Sequence, residues 1–450
     1  MRAKLFGSSI IVLLLVSTLA GVLITTSDDA EALTDGNLVF VVDGGGNATI
    51  IGYNGAGGSV NIPSTVTNGT QTYPLTGIGT ASFMNEQTVT AVNISEGVRS
   101  IGDYAFYGCD ALVNVSIPSS VIYVGTYAFY GCTELTSVII PGNIRSVSYA
   151  AFGSCYRLSH LSLPDSVNSI SGYAFIYCAS LTTIDVPKNV SSIGPYAFFD
   201  CTALVSVRIS DNVSMIGNSA FVKCSAISEL TLGKGLRTID DMAFMECSSL
   251  TKVTFPAILS TIGNRSFAFC TNLTQMNFLG NAPACGTEWA LDVGSGLKAR
   301  FIAGASGFTE PTWQGVTSVR LTVPDAPNNL TSKLKGTNVE LTWQPPQGSS
   351  NDTIDSYQVF YSEDGAPYNW TLYATVNGSV TNITIKGLDI GSVYHLSVKA
   401  INIAGSSAYS DPISSEVKNT SNVMDLVLVL AVIAAVGIVA ILIIRRMTTR

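Results

Sequence analysis

Nine cysteines are the side chains here with the most chemistry available to them, and eight keep a strict beat, at Cys109, Cys132, Cys155, Cys178, Cys201, Cys224, Cys247 and Cys270. Such a set suggests disulfides in an exported chain or thiolate ligands for zinc. The spacing argues against both. Equivalent slots of stacked repeats carry parallel Cβ vectors, which suit poorly a disulfide dihedral of about 90°. Nor can identical slots converge on one tetrahedral ion, and no C-x-x-C pair is present. The favoured reading is a buried row of free thiols acting as compact hydrophobes. Cys285 lies off the beat and makes the total odd, so at least one thiol has no partner within a monomer.

Other candidates for chemistry are few. The two histidines, His160 and His395, each fall inside an expected strand with no nucleophile motif around them. Asp240 with Asp241, and Asp352 with Asp355, read as solvated turns, weak Ca²⁺ binding being the alternative. Gly44-Gly45-Gly46 reads as a hairpin turn, since no helix follows to make a phosphate loop. These residues predict no enzyme, no cofactor and no metal. A net charge of −8 without a basic stripe argues against a nucleic-acid partner, which needs cations to displace counterions from phosphates.

The elements that must hold the thiols follow from a second row. Phe83, Phe106, Phe129, Phe152, Phe175, Phe198, Phe221, Phe244 and Phe267 are each 23 residues apart, and a cysteine follows three residues after all but the first, where Glu86 stands. Within a copy, Leu112, Val115 and Ile117 set an L-x-x-L-x-L spacing that ends in a period-2 pair, which requires a short strand. Pro118, Pro141, Pro164, Pro187 and Pro256 end such strands, because proline cannot donate to a ladder. A second apolar pair, such as Val121 with Val124, then leads into a glycine (Gly102, Gly125, Gly194, Gly217, Gly263) expected to make a turn. One copy cannot bury its apolar side alone, so the copies must stack as a solenoid.

The unit Ile117-Pro118-Ser119-Ser120-Val121, through Ala128-Phe129-Tyr130-Gly131-Cys132 to Leu135 and Val138, resembles the BspA-like class of leucine-rich repeats. That resemblance implies a solenoid of nine repeats over 76–280, with caps over 33–75 and 281–323. It also implies a surface protein, adhesive in some members. After Pro324 the beat stops, and alternating segments such as 339–343, 357–361 and 394–400 predict a β-sandwich over 324–418. This part resembles a fibronectin type III domain: Trp343 matches its core tryptophan, Leu388 with Tyr394 its tyrosine corner, and Ala400–Gly405 with Ser410 its last strands. No Arg-Gly-Asp is present, and a spacer role is expected.

The ends place the chain. Arg2 and Lys4 precede an apolar run, Leu5–Ile24, and Ala30-Glu31-Ala32 offers a cleavage pattern, so 1–32 reads as a signal peptide, an uncleaved anchor being the alternative. Leu426–Ile444 is uncharged and long enough to span a bilayer, with Arg445, Arg446 and Arg450 after it. The expected order is a linker over 419–425, a transmembrane helix over 426–444 and a cytoplasmic tail over 445–450. Both domains then lie outside the cell, where the Asn-x-Ser/Thr sequons from Asn47 to Asn419 all fall. The predicted class is therefore mainly β: a leucine-rich-repeat solenoid, a fibronectin type III β-sandwich and one transmembrane helix.

Alternation along the repeat strands selects outward positions. One column is Asn114, Ser137, His160, Thr183, Ser206, Glu229, Lys252 and Gln275; the other is Ser116, Ile139, Ser162, Asp185, Arg208, Thr231, Thr254 and Asn277. Their variety in an otherwise regular repeat makes them the candidate binding face, an ordinary solvated sheet being the alternative. Tyr104, Tyr127, Tyr173 and Tyr196, with Tyr107, Tyr130 and Phe199, read as packing support, with sugar stacking as the other possibility. The expected function is non-enzymatic recognition of an extracellular protein or glycan. A structural role in the cell envelope is the alternative.

Overall fold

Hydrogen bonds between residues about 23 apart in sequence organise the repeats, beginning with the pairing of Gly77 and Ile78 with Ser100 and Ile101. A computed structural model describes residues 31–346, 354–418 and 431–434. The chain divides into two compact units, one ending at Met276 and taking in Pro283–Leu297, the other comprising Asn277–Ala282 and everything from Lys298.

In the first unit each repeat forms one coil with two strands. The longer strands pair in parallel with like residues in register, as in Ser137↔His160, Val138↔Leu161 and Ile139↔Ser162, or Thr183↔Ser206 through Asp185↔Arg208. A two-residue strand, such as Ser192–Ile193, pairs in the same way with Met215–Ile216. The second apolar pair thus builds a second parallel sheet rather than merely leading into a turn. Its isoleucines and valines alternate inward across that sheet, closing the core from the other side.

The glycines named above are needed for a different reason from the one expected. Gly102, Gly125, Gly194, Gly217 and Gly263 do not have a left-handed backbone. A Cβ on Gly125 would lie 2.5 Å from the Asp103 nitrogen, and one on Gly194 2.4 Å from the Gly172 nitrogen, so glycine is required by the approach of consecutive coils. Left-handed backbone occurs instead two residues before and two after each repeat phenylalanine, for instance at Tyr127 (φ 55°) and Lys223 (φ 62°). With this backbone every second N–H faces along the stack, and those of Tyr104, Phe106 and Gly108 all donate to the next coil, at 2.8–2.9 Å, while the N–H groups of Ala105 and Tyr107 donate within their own coil.

This third ladder encloses the phenylalanines and thiols. Neighbouring rings from Phe83 to Phe267 stack with centroids 4.9–5.8 Å apart, and Tyr53 covers the first at 5.0 Å. Each repeat cysteine is buried and free. Its Sγ–H donates to the carbonyl of the phenylalanine in the coil before, at 3.1–3.3 Å. Cysteine therefore fills a small apolar slot and also gives the buried carbonyl, which already accepts the N–H three residues on, a second donor that alanine could not supply. Burial pushes the Cys109, Cys155 and Cys270 thiols up to about 12, and those of Cys132, Cys178, Cys224 and Cys247 also well above the ordinary value.

The ladder runs past the ninth phenylalanine. Phe267 N–H donates to Trp289, Ile262 pairs with Cys285, and left-handed residues recur at Glu288 and Asp292. The off-beat Cys285 thus occupies the inward isoleucine slot of a partial tenth coil. At the other end, Gly44–Gly46 form the expected hairpin turn between Leu38–Val42 and Ala48–Tyr53, which pair antiparallel.

In the second unit, Lys298–Ile302 pairs in parallel with Val316–Leu321, and a sandwich of two antiparallel sheets follows. One sheet holds Asn328–Lys335, Asn338–Gln344 and Asn382–Ile385; the other is centred on Ser356–Ser362 and Val393–Asn402. Trp343 and Tyr357 meet edge to face at 5.4 Å in its core. The Tyr394 hydroxyl accepts the Asp389 N–H at 3.1 Å, the expected tyrosine corner.

Among the described residues no helix is long and apolar enough to cross a membrane. Of the expected span 426–444 only 431–434 are described, and they are helical. The remainder of that span, the linker, the tail, residues 1–30 of the signal segment and the sequons at Asn351 and Asn419 lie outside the described residues.

Two measurements check this core. The eight ladder thiols should resist alkylation in the folded chain at mild alkaline pH, because burial shields them from the reagent; denaturation without reductant should then release all nine, and a count of one would refute the ladder. Phe198→Ala removes a ring stacked on both sides, and chemical denaturation should show a loss of about 3–5 kcal/mol.

Candidate binding face

Repeat strands turn the central residue inward and the flanking two outward, because a pleated strand alternates faces, although Val115, Leu161 and Leu230 are only half-buried. Val138, Ile184, Val207 and Val253 are the buried centres. Around them Asn114, His160, Thr183, Glu229 and Lys252 are exposed in the first column, and Ser116, Ile139, Ser162, Asp185, Arg208 and Thr231 in the second. Ser137, Ser206, Thr254 and Gln275 are half-buried.

Asn277 departs from the expectation. It is 0% exposed, and Met276 and Phe278 on either side are buried too, so both faces of the strand are covered at this point. Asn277 belongs to the second unit, where the adjacent Phe278 packs on Phe308 and Trp313, both at 5.3 Å. Packing against the chain that returns after Lys298 removes it from the face. The columns open to solvent therefore end with Lys252 and Thr254, and the half-buried Gln275 is marginal.

The face is mixed in character. Arg208 Nε lies 3.2 Å from Asp185 Oδ1 one coil away; both side chains are largely exposed, so the pair adds little stability. Ile139 is 73% exposed between Ser116 and Ser162, an apolar side chain in a polar column. The first coils are uncharged, and Asn93 continues the second column with its Nδ2 donating to Asn61 Oδ1 at 3.1 Å. Charge begins with the Asp185–Arg208 pair and continues through Glu229 and Lys252.

The tyrosine rows pack on themselves. Tyr104 and Tyr127 stack at 5.1 Å, Tyr107 and Tyr130 at 5.5 Å, and Tyr173 and Tyr196 at 4.8 Å. Ring faces that a sugar would need are covered by neighbouring rings, which favours the packing role. Burial, with Tyr149 beside it, pushes the Tyr127 hydroxyl up to about 12. His160 is exposed. His395 Nδ1 lies 2.9 Å from Ser414 Oγ, and no carboxylate bonds its ring among the described residues, so no triad is assembled.

A surface that the repeat spacing alone did not mark lies beside the second sheet. A depression of about 410 Å³ opens there, with Ile122, Tyr123, Arg145 and Tyr149 in its lining. The signal was available in the Ser-Ile and Thr-Ile pairs that recur at 23-residue intervals, since an inward isoleucine implies an outward neighbour.

With the geometry in place, comparison with known proteins is specific. The family model for the BspA type Leucine rich repeat region, in six copies, matches residues 76–205 and 168–288, and that for the Fibronectin type III domain matches 325–416. No curated protein matches the chain. Among solved structures, a leucine rich cell surface protein from Faecalibacterium prausnitzii is 25% identical, over 65% of this chain and 99% of its own, with a TM-score of 0.36. A leucine-rich repeat protein from Bacteroides ovatus is 22% identical over 66% and 100%, with a TM-score of 0.27. A Fn3-like protein from Clostridium thermocellum is 26% identical over 21% of this chain and 92% of its own, with a TM-score of 0.18. The chain thus carries BspA-type leucine-rich repeats, built as a β-solenoid of stacked coils, followed by a fibronectin type III domain.

Proposed function

We propose that this is a non-enzymatic cell-surface binding protein whose solenoid face recognises an extracellular protein or glycan. The fibronectin type III domain serves as a spacer in this reading. Residues 1–32 export the chain, 426–444 anchor it in the membrane, and 33–423 lie outside. The observation that carries the proposal is the pair of exposed columns from Asn114 to Thr254. The repeat holds their backbone in fixed register while their side chains vary in charge, size and polarity. A face with such varied side chains on rigid strands is pre-organised, which lowers the entropy lost on binding. The apolar segments at both ends and the sequons support the placement outside the cell.

Cells displaying the full chain should attach to a matrix-protein or glycan surface that cells lacking it do not hold. Joint replacement Ile139→Asp, Arg208→Asp and Lys252→Glu should lower attachment at least tenfold, about 1.4 kcal/mol, while leaving thermal unfolding unchanged. If deletion of the chain weakens the envelope and attachment is unaffected, the structural role replaces this one.

A further inference from the structure

The second sheet is interrupted at one seam, as the longer strands are after His160–Ser162 and after Glu229–Thr231. Ser146–Val147 pairs with Ser169–Ile170, and Tyr123–Val124 pairs with Ser100–Ile101, but those two strands do not pair with each other among the described residues. Just before them, Ile122 N–H donates to Arg99 O, and Asn168 N–H to Arg145 O. The corresponding bond from Arg145 N–H to Ile122 O is absent among the described residues. The Ser148 hydroxyl instead reaches the Val124 carbonyl.

At this seam lies the depression of about 410 Å³. Ile122 is 57% exposed beside it and Tyr149 40%. Arg145 is exposed and forms no ion pair among the described residues; Arg99, two coils back in the same column and roughly 10 Å away, forms none either. In a chain of net charge −8, two unpaired guanidinium groups flanking apolar side chains form a local positive site. Asp103, whose side chain reaches Tyr123 and Thr126 in the lining, is turned to the protein: its Oδ1 accepts the Thr126 N–H at 2.8 Å and the Tyr123 hydroxyl at 3.2 Å.

We infer that this seam binds an acidic sugar chain, a uronate-type glycan. Arg145, with its own unpaired N–H, holds one carboxylate, Arg99 holds a second, and the exposed edges of Ile122 and Tyr149 take the apolar side of the sugar ring. Guanidinium groups bind carboxylates through paired N–H donors, and the Ser146 hydroxyl, which accepts from Ser169 Oγ at 2.8 Å and keeps its own proton to donate, suits a polyol. This site names a ligand class for the proposed recognition role and rests on it, but it lies on a different sheet from the columns.

The test is titration of the full-length chain, in detergent micelles, with an oligogalacturonate and with its methyl ester. The free acid should bind at least tenfold more tightly, and binding should weaken as salt rises. Arg145→Gln and Arg99→Gln should each weaken it several-fold or more with unfolding unchanged, Tyr149→Ala should weaken it as well, and Arg208→Gln on the other face should not. Equal binding of the ester, indifference to Arg145→Gln in a folded chain, tighter binding of polyglutamate, or no binding would each overturn the inference. If attachment still depends on Ile139, Arg208 and Lys252, the functional proposal survives that failure.

Discussion

Everything in the first unit depends on one constraint, that each coil repeats the backbone path of the coil before it closely enough for like atoms to meet. The repeat phenylalanine shows the constraint most directly. Its N–H donates forward to the next coil at about 2.8 Å, its carbonyl accepts a thiol from that same coil, and its ring lies on its counterparts on both sides. Inserting one residue anywhere in a copy would break all three at once. That explains why nine copies keep the interval of 23 without exception.

A surface follows from the same constraint. Positions that face inward must repeat, because each contacts its own equivalents; positions that face outward are released from that requirement. The columns from Asn114 to Thr254 are where the chain spends its variety, carrying a neutral stretch, one exposed isoleucine and a charged stretch along coils whose longer strands fall in three hydrogen-bonded sheets. The seam at Arg145 is a second departure. There the ladder of the shorter sheet is interrupted and backbone polar groups stay open beside unpaired cations. The longer strands are interrupted too, after His160–Ser162 and after Glu229–Thr231, so what sets the seam at Arg145 apart is the unpaired cations beside it.

Much of this was legible in the amino-acid order. The phenylalanine and cysteine beats, the strand in each copy, the hairpin at Gly44–Gly46, the core tryptophan and the tyrosine corner all follow from residue type and spacing. What escaped did so for identifiable reasons. Left-handed backbone occurs at Tyr127 and Lys223, residue types that do not advertise it. The glycines before the Ala-Phe unit look like turn residues, yet their role is set by backbone from a coil 23 residues away. The partial tenth coil carries Trp289 and Ala290 where the beat has Ala and Phe, so it keeps the backbone path but not the marker residues.

By itself the sequence determined the repeat, its register and the inward set of side chains, because stacking makes periodicity and burial the same fact. Only the tertiary structure decided which outward positions stay outward. Asn277 sits in an outward slot by count and is fully buried, because chain that returns after Lys298 packs around it. The thiol's hydrogen bond and the open seam at Arg145 were likewise decided in three dimensions. Both depend on where a neighbouring coil places a carbonyl, a distance that no spacing of residue types encodes.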